Sequence, residues 1–203
     1  MNNAVIRPSI IFYKTIKGLG DISLRLLDIE NDIEIIHNWV TKPYATYWGM
    51  QDHTLEEVKQ AYQQIIETEH HDTFIGLLNN EPIFLMERYQ VLKDPISEYY
   101  DAKLGDYGMH ILVSPVEKRI PNFTWHVFTT ILDYLFSNPT VDRIVVEPDV
   151  RNDKIHILNK KAGFVYHKEV ELPHKKAALA FCERVSYHNA VKAEEHKNNI
   201  PKN

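Results

Sequence analysis

This sequence of 203 residues predicts an α/β protein, a mixed sheet layered with helices. Three observations lead there. Asp142 to Phe164 reads as strand, acidic turn, amphipathic helix, glycine stop and strand, which is a βαβ-type unit. Three other segments carry apolar residues at helical spacing, and the stretches around them are short β-rich runs ended by Gly, Pro or Asn. Their order is strands, two helices, strands, helix, strand, helix, strands, as in a mixed α/β layer.

The elements follow in chain order. The first seven residues are polar and expected to fray. Ser9–Thr15 and Ile22–Leu27 read as strands around the hairpin Gly18-Leu19-Gly20-Asp21. From Asp28, one helix face is lined by Ile29, Ile33, Ile36 and Val40 with Trp39 beside them, and Pro43 ends the helix. Thr54 and Glu57 have capping-box spacing at the head of a second helix, which runs through Val58, Tyr62, Ile65 and Ile66. The aromatic-rich loop between them, Pro43 to Met50, is either a lid over core or the wall of a cleft. Thr73–Leu78 and Pro82–Val91 are strands joined at Asn79-Asn80-Glu81, and Lys93 to Gly105 reads as an exposed loop. Tyr107–Val113 is a strand. Asn122–Phe136 is a helix with Phe123, Val127, Ile131 and Leu135 on one face.

Within the βαβ-type unit, Ile144–Val146 is a buried strand, and Pro148 stops it because it has no N–H for a ladder. Asn152 is placed to cap the helix that carries Ile155, Leu158 and Ala162, and Gly163 supplies its left-handed stop. Val165–Glu171 and Ala177–Val185 are closing strands. One domain is expected over 1–186, and the tail 187–203 is expected to be disordered for want of apolar residues.

The formal net charge is −5 and no basic stripe is visible, which argues against nucleic acid as a partner. No apolar run reaches membrane-spanning length, and no basic-then-apolar leader opens the chain, so no membrane partner is expected and the cytoplasm is the default. The single cysteine, Cys182, excludes an internal disulfide and reads as a packed small hydrophobe. His70, His71 and the other histidines lack metal-ligand spacing; they read as surface residues, and no metal is expected.

By residue type alone, His110 sits mid-strand on the face of Gly108 and Leu112 and reads as an interior histidine. Asp149 reads as a helix-start aspartate. Glu87, Asp106 and Glu147 could each hold a ligand ammonium, or equally be solvated charges.

Several of these stretches resemble a known family. The ending Lys160-Lys161-Ala162-Gly163-Phe164 and Asn152 near a helix start are similar to the last block of the GNAT acyltransferase superfamily. The segment from Glu147 to Phe164, with Gly108-Met109-His110-Ile111-Leu112 upstream and Leu172-Pro173-His174-Lys175 downstream, resembles the acyltransferases of hydroxamate siderophore biosynthesis. The resemblance is specific from Tyr107 to Arg184 and looser from Ser23 to Arg88. It implies the GNAT fold, a mostly antiparallel central sheet flanked by helices. It also implies acyl-CoA as co-substrate, acetyl- or succinyl-, with direct transfer to a small N-hydroxylated amine; the alternatives are a GNAT acetyltransferase for another small amine, such as a polyamine or an aminoglycoside, and a non-catalytic acyl-CoA-binding module. His110 and Asp149 match the family's active-site positions. Val113, Lys118, Arg119, Asn122, Phe123, Thr124, Asn152 and Asn159 fall where the family binds CoA. Trp39, Tyr44, Trp48, Glu87 and Glu147 fall where it walls the acceptor pocket; a homodimer is left open.

Two departures stand out. The phosphate-loop stretch from Glu117 to Thr124 has no glycine, and Pro121 removes a donor. The tyrosine that returns a proton to the CoA thiolate in many GNAT proteins is replaced by Asn159, leaving Tyr166, a water or an unprotonated thiolate.

Overall fold

The computed structural model describes residues 8–115 and 120–199, the last two of these as backbone only. Eight strands hydrogen-bond in the order β1-β2-β3-β4-β5-β6-β8-β7. The chain divides into two compact units: one holds the described residues up to Arg88 and those from His110 to Thr130, the other those from Tyr89 to Met109 and from Ile131 onward.

In the first unit, β1 (Ile10–Ile16) and β2 (Gly20–Leu26) form the expected hairpin, and β2 pairs antiparallel with β3 (His71–Leu78). Next come β4 (Glu81–Gln90) and β5 (Asp106–Val113), each passing from one unit to the other along its length. Two helices cover this part of the sheet, α1 (Ile29–Val40) and α2 (Leu55–Glu67). α2 starts with the capping box predicted for it: Thr54 accepts from the Glu57 N–H while Glu57 accepts from the Thr54 N–H. Between the helices, Pro43–Trp48 is a 3₁₀ segment. Period-two alternation puts Ile75 and Leu77 of β3, Leu85 of β4 and Leu112 of β5 on one face, where they meet Ile33, Ile36, Val58 and Tyr62. Beneath α1 lies an ion pair the sequence did not reveal: Arg25 donates to Asp32 at 2.6 and 2.7 Å, each residue 1% exposed.

In the second unit, β5 pairs parallel with β6 (Arg143–Val146) over Asp106 to Gly108. The chain connects them through α3 (Phe123–Ser137). β8 (Lys175–Glu183) lies antiparallel to β6 and to β7 (Val165–Leu172). α4 (Asp153–Lys161) begins at Asn152, whose side chain accepts from the Ile155 N–H, and it stops at Gly163 with φ of 94°. A side chain there would meet the backbone of Ser186 at 2.7 Å, so the position needs glycine on two counts.

Two expectations are corrected here. The stretch from Lys93 to Gly105 is not simply exposed: Ile96 is buried and Tyr99, Tyr100 and Ala102 pack on the core of β6, β7 and β8. The tail from Tyr187 is α5 (Arg184–Asn199). Tyr187 is fully buried, stacks on Phe136 and donates to Asp133 at 2.6 Å. Arg184 donates to the carbonyls of Phe136, Asn138 and Val141. The segment is poor in apolar residues, but one tyrosine and one arginine anchor its first turn.

Candidate functional site

His110 is brought into place by β5, on the same face as Leu112, and it meets a carboxylate from the neighbouring strand. Glu87 lies two residues beyond Leu85 in β4, so strand alternation turns it inward, where it is 6% exposed. The Nδ1–H of His110 donates to Glu87 Oε2 at 2.9 Å. Tyr62 of α2 donates its O–H to Glu87 Oε1 at 3.2 Å, and the Trp48 Nε1–H donates to Tyr62 Oη at 3.1 Å. Trp48 also stands edge-on to the His110 ring. His71 of β3 approaches the same carboxylate, its Nε2 3.8 Å from Oε2.

Burial pushes the Glu87 carboxyl up. Hydrogen bonds and charge from His110 and His71 outweigh this and bring it down to about 2. Glu87 is therefore ionised and offers only acceptors, which puts a hydrogen on Nδ1 of the His110 ring and leaves the lone pair of the neutral ring on Nε2. Burial, and then the Glu87 charge, hold the Tyr62 hydroxyl well above its ordinary range, so it stays a donor.

This arrangement revises three sequence readings. Glu87 does not stand open to an acceptor ammonium, because its oxygens serve Tyr62 and His110. His71 is not a surface residue. A period-two reading of His71, Thr73, Ile75 and Leu77 puts all four on the buried face, a signal the sequence did contain. Trp39 is 5% exposed and belongs to the core under α1. Trp48 is packed against that core and reaches the Tyr62–Glu87 pair, whereas Tyr44 is largely exposed and partial burial raises its hydroxyl to about 12.

The second unit holds another group of polar side chains around the end of β6. Glu147 is buried and accepts from the Tyr89 O–H at 3.1 Å and from Lys175 Nζ at 3.4 Å. The Tyr89 ring reaches it by lying flat on Gly108, where a Cβ would come within 2.0 Å of the ring. Asp149 is bridged to Ala177 of β8, and both of its oxygens accept from the Arg151 guanidinium, at 2.8 and 2.6 Å. Those hydrogen bonds hold its carboxyl down to about 2 against burial. Asp149 is thus a carboxylate that orients Arg151, and a weak proton acceptor. Asp106, another candidate, is bound by Arg143 at 2.8 and 2.6 Å and by the Tyr100 hydroxyl.

On α4, the His156 Nε2–H donates to the Asp149 carbonyl at 3.0 Å, so its Nδ1 accepts from the Tyr166 O–H at 2.7 Å. Asn159 donates its Nδ2–H to Tyr166 Oη at 3.0 Å; its Oδ1 is buried with no partner among the described residues. Asn152 uses its side chain as the helix cap.

At the head of α3, Phe123 is buried and its N–H donates to the Ile120 carbonyl, while Asn122, with φ of 57°, and Thr124 are exposed. Val113 is half-buried at the end of β5. Lys118 and Arg119 lie outside the described residues. Two hollows of about 290 and 310 Å³ in the second unit share Arg143, His167 and Phe181; Tyr166, the candidate thiolate acid, lines the second of them. Among the described residues, no group of His, Cys, Asp and Glu is arranged to hold a metal ion, and no helix is long and apolar enough to cross a membrane.

Comparison with known proteins adds three findings. The profile of the acetyltransferase (GNAT) domain matches residues 28–172. A hydroxyornithine transacylase of Ajellomyces capsulatus is 28% identical over 80% of this chain, and an N(6)-hydroxylysine O-acetyltransferase of Escherichia coli is 27% identical over 84% of it. The matched region spans 37% and 54% of those two proteins. The crystal structure of an uncharacterised protein from Bacillus halodurans superposes with a TM-score of 0.82 at 29% identity, over 92% of this chain and 95% of that one.

Proposed function

The chain belongs to the GNAT acetyltransferase family, and on that premise we propose an acyl-CoA-dependent N-acyltransferase that turns a small N-hydroxylated amine into a hydroxamate. The observation that carries the reading is His110, held by Glu87 with its basic nitrogen defined, on the strand that carries the family resemblance. The names of the two relatives support the acceptor class, since both act on hydroxylated diamino acids.

In the proposed reaction the hydroxylamino nitrogen attacks the thioester carbonyl of a bound acyl-CoA. The new N–C bond forms as the C–S bond breaks; the N–H proton passes to His110 Nε2, and sulfur leaves as the thiolate. A hydroxylamine suits this base. A primary amine has a pKa of about 10.4 and must first lose a proton, whereas a hydroxylamine is already neutral and needs mainly positioning. The buried Glu87 carboxylate stabilises the imidazolium that forms. Asp149, the other catalytic residue that the resemblance implies, is kept ionised by Arg151. Acyl-CoA is proposed to pair with the backbone at Val113 and to set its phosphates at Asn122–Thr124 with Lys118 and Arg119. In the first unit, Trp48 and Tyr44 are proposed to line the acceptor; for Asn152, Asn159 and Glu147 of the second unit, the support for a binding role is the family resemblance. The proposal places the reaction in the cytoplasm, where acyl-CoA is made.

The test is CoA thiol release with acetyl-CoA and succinyl-CoA, offering N-hydroxycadaverine, N-hydroxylysine, cadaverine and lysine in parallel. Release with the hydroxylated acceptors only is expected. Equal or faster release with the plain amines would replace the acceptor class.

A further inference from the structure

The carboxylate of Glu87 is surrounded in a way that substrate binding does not explain. It is 6% exposed, and three side chains from three elements converge on it: Tyr62 from α2 at 3.2 Å, His110 from β5 at 2.9 Å and His71 from β3 at 3.8 Å. A buried carboxylate is costly to desolvate, and it is retained where partners satisfy it. Here those partners include the ring proposed as base.

We infer that Glu87 is a positioning residue, which acts through His110 by holding its ring in the Nδ1–H tautomer, and that His71 and Tyr62 complete the clamp on the carboxylate. The inference rests on His110 being the acceptor-side base. Because ionised Glu87 cannot donate, the bond at Oε2 requires a hydrogen on Nδ1, and in the neutral ring the lone pair is left on Nε2. A glutamine at this position has the same shape and reverses the logic. With its amide oxygen kept on the Tyr62 hydroxyl, its N–H faces and donates to Nδ1, the ring hydrogen moves to Nε2, and the ring no longer accepts a proton there. Within this unit Glu87 of β4 bonds the His110 ring directly, His71 of β3 and Tyr62 of α2 meet that same carboxylate, and Trp48 stands edge-on to the ring at 6.3 Å between centroids.

The experiment pairs a structural readout with a kinetic one. Nitrogen-15 NMR of the imidazole rings, with His110→Gln used for assignment, reports the tautomer directly. Wild type is expected to show Nδ1–H at His110, and Glu87→Gln is expected to show Nε2–H. His71→Asn, which leaves the Glu87–His110 bond in place, is expected to keep Nδ1–H. In turnover, Glu87→Gln should lower kcat by about 100-fold to 10,000-fold, the range that a positioned general base contributes, with KM for acyl-CoA unchanged within about twofold. An unchanged His110 tautomer in Glu87→Gln overturns the inference, whatever the rate does. A switched tautomer with full activity overturns instead the reading of His110 as the base, and the two failures are therefore told apart.

Discussion

Replacing Gly108 by alanine tests how the strand bearing His110 is seated. The backbone at Gly108 does not lie in the left-handed region, so alanine is excluded only by the Tyr89 ring, which a Cβ would approach to 2.0 Å at Cζ and 2.1 Å at Cε2. Ordinary carbon contacts lie at about 3.5 to 4.0 Å, so the ring must retreat by roughly 1.5 Å. Tyr89 is 3% exposed and has little room to do so. Such overpacking costs about 1 to 3 kcal/mol. The retreat also breaks the 3.1 Å bond to the buried Glu147 carboxylate. A hydrogen bond to a charged group contributes about 1.5 to 3 kcal/mol. Together they give an expected loss of about 2.5 to 6 kcal/mol for Gly108→Ala. A double-mutant cycle with Tyr89→Ala isolates the cause. In that background the ring is gone, and Gly108→Ala should be neutral or stabilising by about 0.5 kcal/mol through the lower entropy of the unfolded chain. Urea unfolding of all four proteins, with m-values compared, supplies the free energies. A cost for Gly108→Ala that agrees within about 0.5 kcal/mol in both backgrounds would refute the argument.

Three further outcomes are expected. Asp32→Ala strands the buried Arg25 guanidinium and should cost about 3 to 5 kcal/mol in urea unfolding, most of it recovered when Arg25→Met is added; equal losses in single and double variants would sink the pairing argument. Glu87 is held down to about 2 in the folded protein against about 4.3 unfolded, so its contribution, about 3 kcal/mol, is complete above the unfolded value and lost as pH falls towards the folded one. Wild type should therefore lose more stability than Glu87→Gln between pH values of about 4.5 and 2, and parallel curves would contradict this. Tyr187→Ala should cost about 3 to 5 kcal/mol, with faster amide exchange along α5, whereas a disordered tail would leave stability unchanged.

Much of the fold was legible because it is written in short-range pattern. The Thr54–Glu57 box, the Asn152 cap and the Gly163 stop each depend on residues within a turn of one another, and each was found where the spacing put it. The class of the sheet followed from alternation and from the order of the segments. Long-range polar pairs were not legible. Nothing in the run Leu24-Arg25-Leu26 announces that its charge is met by Asp32, and nothing at Tyr187 announces Asp133, 54 residues earlier.

The candidate site divides the same way. Residue types and family resemblance single out His110 on a strand and Asp149 in an acidic turn. Assigning a task to each carboxylate took the tertiary structure. Glu87 and His110 are 23 residues apart in the chain and 2.9 Å apart in space, and that distance gives an expected ammonium partner a histidine of its own chain instead. Asp149, expected to take up a proton, is neutralised by Arg151 two residues on. Sequence determines which groups can ionise. Whether they do, and for whom, depends on desolvation and on partners a few ångströms away, and only folding supplies those.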